Sequence, residues 1–151
     1  DGLLRDDSYL ISISELSILE IICTTNRLKS NFKIPDIVKT IYDVCEVMPI
    51  EAKLNRYAWY LGANYNFHSG DSIHAAFCLS NAVEHILNKD GNFCAAFTQL
   101  KNDYLHDEIN NQEEFFKIFP RSKNVSRKFS EILSNLKTIK IKKLKGKDKK
   151  K

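Results

Sequence analysis

The chain has 151 residues, 43% apolar and 28% charged, a length and balance that suit one globular domain with little room for a second. Polar residues interrupt every apolar window well before the ~18 positions of a membrane span, and no cationic start leads into a secretory apolar stretch. These features argue against a membrane protein and lead us to expect a cytoplasmic one. The net charge of +4 is unevenly spread: from Lys137 onward nine lysines face only Asp148, so residues 1–136 carry −4. Cys23, Cys45, Cys78 and Cys94 form no CxxC pair, and each adjoins an apolar segment. They read as reduced thiols packed as small hydrophobes rather than as a zinc site.

In chain order, residues 9–13 are apolar and β-branched and predict a short buried strand. Ser12 and Glu15 have capping-box spacing, Ser14 is an equally good cap, and a helix follows toward Leu28. Its polar stripe is Ser17, Glu20, Thr24 and Arg27. Residues 31–32 read as a loop, and Pro35-Asp36 opens a second helix. Residues 45–48 form a brief strand candidate stopped by Pro49. Residues 51–61 make an amphipathic helix with Leu54, Tyr57, Ala58 and Leu61 on one face, and residues 62–70 read as a loop.

Asp71 then begins a helix that is apolar on nearly every side, as a buried helix is. Ile86-Leu87 is a short strand, closed by a turn at Asp90-Gly91-Asn92. Residues 93–100 predict a short helix, residues 104–109 a weak strand, and residues 113–118 a helix ending before Pro120. Val125, Phe129, Ile132, Leu133 and Leu136 form one further apolar stripe at helical spacing. Alternating strands and helices predict an α/β class with a mainly parallel sheet.

Three acids stand where the chain leaves a strand or enters a helix: Glu20, Asp71 and Asp90. Sites in open parallel sheets form at the carboxyl ends of strands, and carboxylate oxygens suit Mg²⁺ or Mn²⁺. Each acid also has a structural explanation. Asp71 serves equally as an N-cap, Asp90 as a turn residue, and Glu20 as part of a solvated helix face. His74, one turn into an apolar helix, reads as a ligand or as a hydrogen-bonded core histidine.

The ordered set resembles the PIN-domain ribonucleases, especially the VapC-type toxins of toxin–antitoxin pairs. Ser14-Glu15-Leu16-Ser17-Ile18-Leu19-Glu20 is similar to the family's second motif, and residues 52–61 resemble the helix before its third. Gly70-Asp71-Ser72-Ile73-His74-Ala75-Ala76 resembles the Asp-Ala-Ile/Leu-His-Ala-Ala segment that carries the third acid. Residues 86–93 resemble the Thr-x-Asp-x-Asp-Phe ending, with Asn92 where a second Asp often stands, and residues 113–117 resemble the closing helix.

The resemblance covers residues 9–120. It implies a three-layer α/β/α domain over residues 1–120; the apolar stripe and the lysine run themselves add an amphipathic helix over 121–136 and a lysine-rich tail over 137–151. It also implies a metal-dependent endoribonuclease in which Glu20, Asp71 and Asp90 hold Mg²⁺ or Mn²⁺. Ser17, His74 and Asn92 would support those ligands. The family's opening strand, with its first acid, has no counterpart: neither Asp6 nor Asp7 follows an apolar strand. That acid is expected from sequence outside this chain; without it, the alternative is a non-catalytic RNA- or protein-binding module. The implied partners are RNA, an antitoxin protein and a second copy of the chain. Lys140, Lys142, Lys143, Lys145 and Lys147 are the candidate phosphate contacts, unless the tail is simply a solvated, disordered one.

Overall fold

A computed structural model describes residues 9–145; Asp6, Asp7 and Lys147 lie outside the described residues. The chain divides into two compact units, Asp1–Glu51 and Ala52–Lys151. The class is α/β, and among the described residues the strands form two separate parallel pairs, one in each unit.

In the first unit, β1 (Ser12–Ser14) leads into α1 (Glu15–Arg27), then α2 (Ile34–Val44) and β2 (Glu46–Met48). Strand β1 lies later than the apolar run predicts. Pairing starts as the Glu46 N–H donates to the Ile11 carbonyl (2.8 Å) and continues in register from Ser12↔Glu46 to Ser14↔Met48. Ser14, not Ser12, caps α1. Its extended backbone (φ −83°, ψ 155°) aims the hydroxyl at the Ser17 N–H, 3.2 Å away, while Ser12 is held in the strand. Pro35 sits in the first turn of α2, where its missing N–H costs no helical bond.

The second unit opens with α3 (Lys53–Asn64) and α4 (Ser69–Ser80). The loop between them is far shorter than residues 62–70, because α3 continues past Gly62 to Asn64. Gly62 permits a close approach of the two helices: a Cβ there would stand 3.2 Å from Ser72 Oγ. Strand β3 (His85–Asn88) follows, then α5 (Gly91–Leu105), α6 (Gln112–Phe116) and α7 (Ser122–Leu133). A 3₁₀ turn (Ser134–Lys137) leads to β4 (Lys140–Lys143).

The weak strand predicted over residues 104–109 is not formed. Phe93, Phe97 and Leu100 are buried at helical spacing, so packing carries α5 on to Leu105. The chain then reverses at Asp107, which takes a positive φ of 55°.

The lysine run also departs from expectation. Residues 140–143 are a strand, parallel to β3 in the register His85↔Lys140 through Asn88↔Lys143. The cause is an alternation hidden by the charge. Ile139 is fully buried and Ile141 half-buried, while Lys140, Lys142 and Lys143 remain exposed. Lysines along a strand are also a common means of protecting a sheet edge.

The core of this unit is aromatic. Tyr60 lies 4.9 Å from Phe129 and 5.9 Å from Phe116, ring centre to ring centre, and Tyr57 stacks on Phe129 at 5.4 Å. Asn135 donates from Nδ2 to the Leu79 carbonyl (2.7 Å), satisfying the C-terminal end of α4. The cysteines are less uniform than expected. Cys94 is buried, Cys23 is exposed, and the Cys78 thiol is pushed up to about 12 by burial. Among the described residues no helix is long and apolar enough to cross a membrane.

Tyr60 donates its hydroxyl to the Asn110 carbonyl (2.7 Å), and burial, then the Asp103 charge, raise its pKa from 10.0 to about 12. Because the folded value lies above the unfolded one, this contribution is intact below pH 10 and is lost as pH rises toward 12. Chemical denaturation at stepped pH should show stability falling over that window. Tyr60→Phe should cost about 1 kcal/mol at pH 8 through the lost hydrogen bond, yet show a shallower alkaline decline.

Candidate functional site

The junction of β3 with α5 is the best-defined polar feature among the predicted site residues. Ile86 is buried and anchors β3. Asn88 Oδ1 accepts from the Asp90 N–H at 2.8 Å, and Asp90 Oδ1 accepts from the Asn92 N–H at 2.8 Å. Asp90 is therefore the N-cap of a 15-residue helix, which replaces the predicted turn and lengthens the helix expected from residue 93. The capping bond occupies one carboxylate oxygen. The other, Oδ2, has no hydrogen-bond partner among the described residues, and Asp90 as a whole is exposed.

Lys143 reaches the same place from β4. A Cβ on Gly91 would lie 3.1 Å from its Nζ, so the ammonium stands over the first turn of α5. A cation at a helix N-terminus opposes the macrodipole, whereas an anion there is favoured. Asp90 offsets part of that cost. The Cys94 thiol is raised by burial, lowered by Lys143 and raised by Asp90, in that order of size, which marks both charges as close neighbours.

Asp71 is not the N-cap of α4. His68 takes that position, and Asp71 lies in the first turn, half-buried, where the helix dipole still favours its charge. His74 follows three residues later on the same face and is also half-buried; both side chains are engaged by neighbouring groups.

Glu20 belongs to the first unit, on the exposed face of α1. With Ser17 and Thr24 it lines a shallow hollow of about 290 Å³, and Ser17 Oγ lies 3.2 Å from Ser14 Oγ. The second unit thus contains Asp71 and Asp90, and the first contains Glu20. Carboxylates are the right donor type for Mg²⁺ or Mn²⁺. Among the described residues, however, no group of three or more His, Cys, Asp or Glu side chains gathers to hold a metal ion.

Of the candidate lysines, Lys140, Lys142, Lys143 and Lys145 are exposed, the first three on β4. The backbone N–H of Lys140 donates to the Glu84 carbonyl (2.9 Å), and the Leu144 N–H to Asn88 (2.7 Å). The segment is thus pinned at both ends.

A second feature escaped the sequence pattern. A groove of about 440 Å³ is lined by α5 from Asn92 past Gln99 to Asp103 and by Asn64, Tyr65 and Asn66. Tyr65 donates its hydroxyl to Asp103 Oδ2 at 2.8 Å, and Gln99 Nε2 donates to Oδ1 at 2.7 Å. Burial, and then that hydrogen bond to Asp103, raise the Tyr65 pKa well above its ordinary value. The signal was present as polar residues at 92, 99 and 103 on one helical face, but it appears only once α5 extends past Leu100.

No protein-family model matches the chain, and no match was found among curated proteins or solved structures.

Replacing Asp90 tests its capping role separately from any chemistry. Asp90→Ala should lower stability by about 1 kcal/mol in urea denaturation, while Asp90→Asn, which still caps, should cost only a few tenths.

Proposed function

We propose that the chain is a PIN-like endoribonuclease dependent on Mg²⁺ or Mn²⁺, acting in the cytoplasm as the toxin of a toxin–antitoxin pair. The observation that carries the reading is the shared end of β3 and β4. There Asn88 is in register with Lys143, and the Lys143 ammonium lies over the helix turn capped by Asp90. A carboxylate and a lysine at the carboxyl end of a parallel strand pair, beside a helix N-terminus, suit a phosphodiester.

In this reading Glu20, Asp71 and Asp90 contribute negative charge toward a divalent ion. Ser17, His74 and Asn92 orient them, and Lys140, Lys142, Lys143 and Lys145 neutralise backbone phosphates. Such an ion, when bound, would polarise the phosphodiester and lower the pKa of a water. The reading requires one more acid than the chain's motifs supply, and the described acids do not form a three-ligand group. The role assigned to these residues therefore stops at charge and phosphate contact. The fold proposed with it is a three-layer α/β/α domain with a mainly parallel sheet. The partners would be RNA, an antitoxin protein covering the acidic face, and a second copy of the chain.

Asn92, standing where the resembled family often has an acid, favours a second reading: a PIN-like module that binds RNA or a protein partner without cleaving. One experiment separates the two. Wild type and Asp71→Asn are incubated with a structured RNA and Mn²⁺. The nuclease reading expects cleavage by wild type and a loss of more than about 100-fold in the variant, beyond the 10- to 100-fold typical when an outer-shell partner of a metal is removed. Equal cleavage by both proteins, or wild-type RNA binding without metal binding or cleavage, overturns it.

The lysines are tested by ionic strength. Replacing Lys142 and Lys143 with Ala should lower the slope of log affinity against log salt by about 0.7 per lost contact on single-stranded RNA. An unchanged slope would remove both from the phosphate contacts.

A further inference from the structure

The groove along α5 has a chemistry of its own. No lysine or arginine lines it, so it is not a phosphate site. Its carboxylate, Asp103, has one oxygen engaged by Tyr65 and the other by Gln99, which leaves it poorly placed to hold a cation. The remaining polar groups are primary amides, each pairing a donor with an acceptor. Asn66, Asn92 and Gln99 are exposed, so their amides face solvent, and Gln99 donates through Nε2, leaving its carbonyl oxygen to accept. Small side chains, Ala95 and Ala96, line the wall between Asn92 and Gln99, and Tyr65 supplies an aromatic ring.

A flat, neutral ligand with alternating donors and acceptors on its edge matches this set. Nucleobases have that form, and the pairing Asn and Gln make best is bidentate to adenine. Single-stranded RNA is read in this way, with unstacked bases placed against aromatic side chains and hydrogen-bonded along their edges. A volume of about 440 Å³ falls within the usual range for small-ligand sites. Asn92 ties the groove to the phosphate-facing end of the domain: its side chain lines the groove, while its backbone N–H donates to Asp90 Oδ1.

We propose that this groove seats one base of the bound RNA strand and favours adenine. The inference rests on the RNA-binding reading above. It does not require cleavage, because base selection acts on binding.

The test measures affinities of the full chain for hexamers of A, U, C and G by fluorescence anisotropy, in EDTA so that neither a metal ion nor cleavage contributes. Wild type should prefer the A hexamer by about tenfold, the order of discrimination one bidentate amide–base pair supplies. Asn66→Ala and Gln99→Ala, two independent changes in the groove lining, should each bring A and U within about threefold, the loss falling mainly on A.

Equal wild-type affinities overturn the base seat. So does a loss in the variants that is the same for every hexamer, as a merely structural change would give. A base preference without Mn²⁺-dependent cleavage would retain the seat and reject the nuclease. Cleavage without any base preference would do the reverse. Failure to bind any hexamer rejects the seat together with RNA binding.

Discussion

Parallel pairing of β3 with β4 is the constraint on which the functional geometry of the second unit depends. A parallel pair cannot be closed by a tight turn, so the chain must cross over and return. Here the return runs through α5, α6, α7 and the 3₁₀ turn before β4 lies down beside β3. The register that results, Asn88↔Lys143, brings a lysine over 50 residues distant in sequence to the helix turn that Asp90 caps. Lys101 reinforces the arrangement from α5 by donating its ammonium to the Ile139 carbonyl (2.6 Å), just before β4 begins.

The crossover holds its course because its helices share one aromatic core. Phe116 on α6 and Phe129 on α7 both meet Tyr60 on α3, and Tyr60 also bonds the carbonyl of Asn110 in the connection before α6. A buried phenol with a satisfied hydroxyl gives both apolar contact and direction. Asp103 links this core to the groove, since its charge acts on Tyr60 and its carboxylate receives the Tyr65 hydroxyl. The polar groove and the aromatic core are thus parts of one connected structure around α5.

Local signals were most legible where a single residue type does one physical job. Pro35 opening α2, Ser14 capping α1 and the apolar body of α4 all follow from short-range chemistry, and the structure has them. Failures came where packing outweighed local preference. Gly62 reads as a loop residue but sits within α3, because the approach of Ser72 leaves little space for a side chain. The run from 139 to 143 reads as a solvated tail because the lysines hide Ile139 and Ile141, which set its faces. Among the candidate site residues, Asp90 and Lys143 are brought to one helix turn. Asp71 lies on another helix of that unit, and Glu20 belongs to a different unit.

From its residues alone the chain declares an α/β class, a buried α4 carrying Asp71 and His74, and an acid just past the strand that ends near residue 88. Those properties depend on caps, periodicity and strand propensity, which act within a few residues. Tertiary structure decided that the lysines form a strand, that one of them stands beside Asp90, and that Tyr65 and Gln99 hold Asp103 at the edge of an amide-lined groove. Such relations require a crossover, a register and a shared core, and none of these is encoded in any short window of sequence.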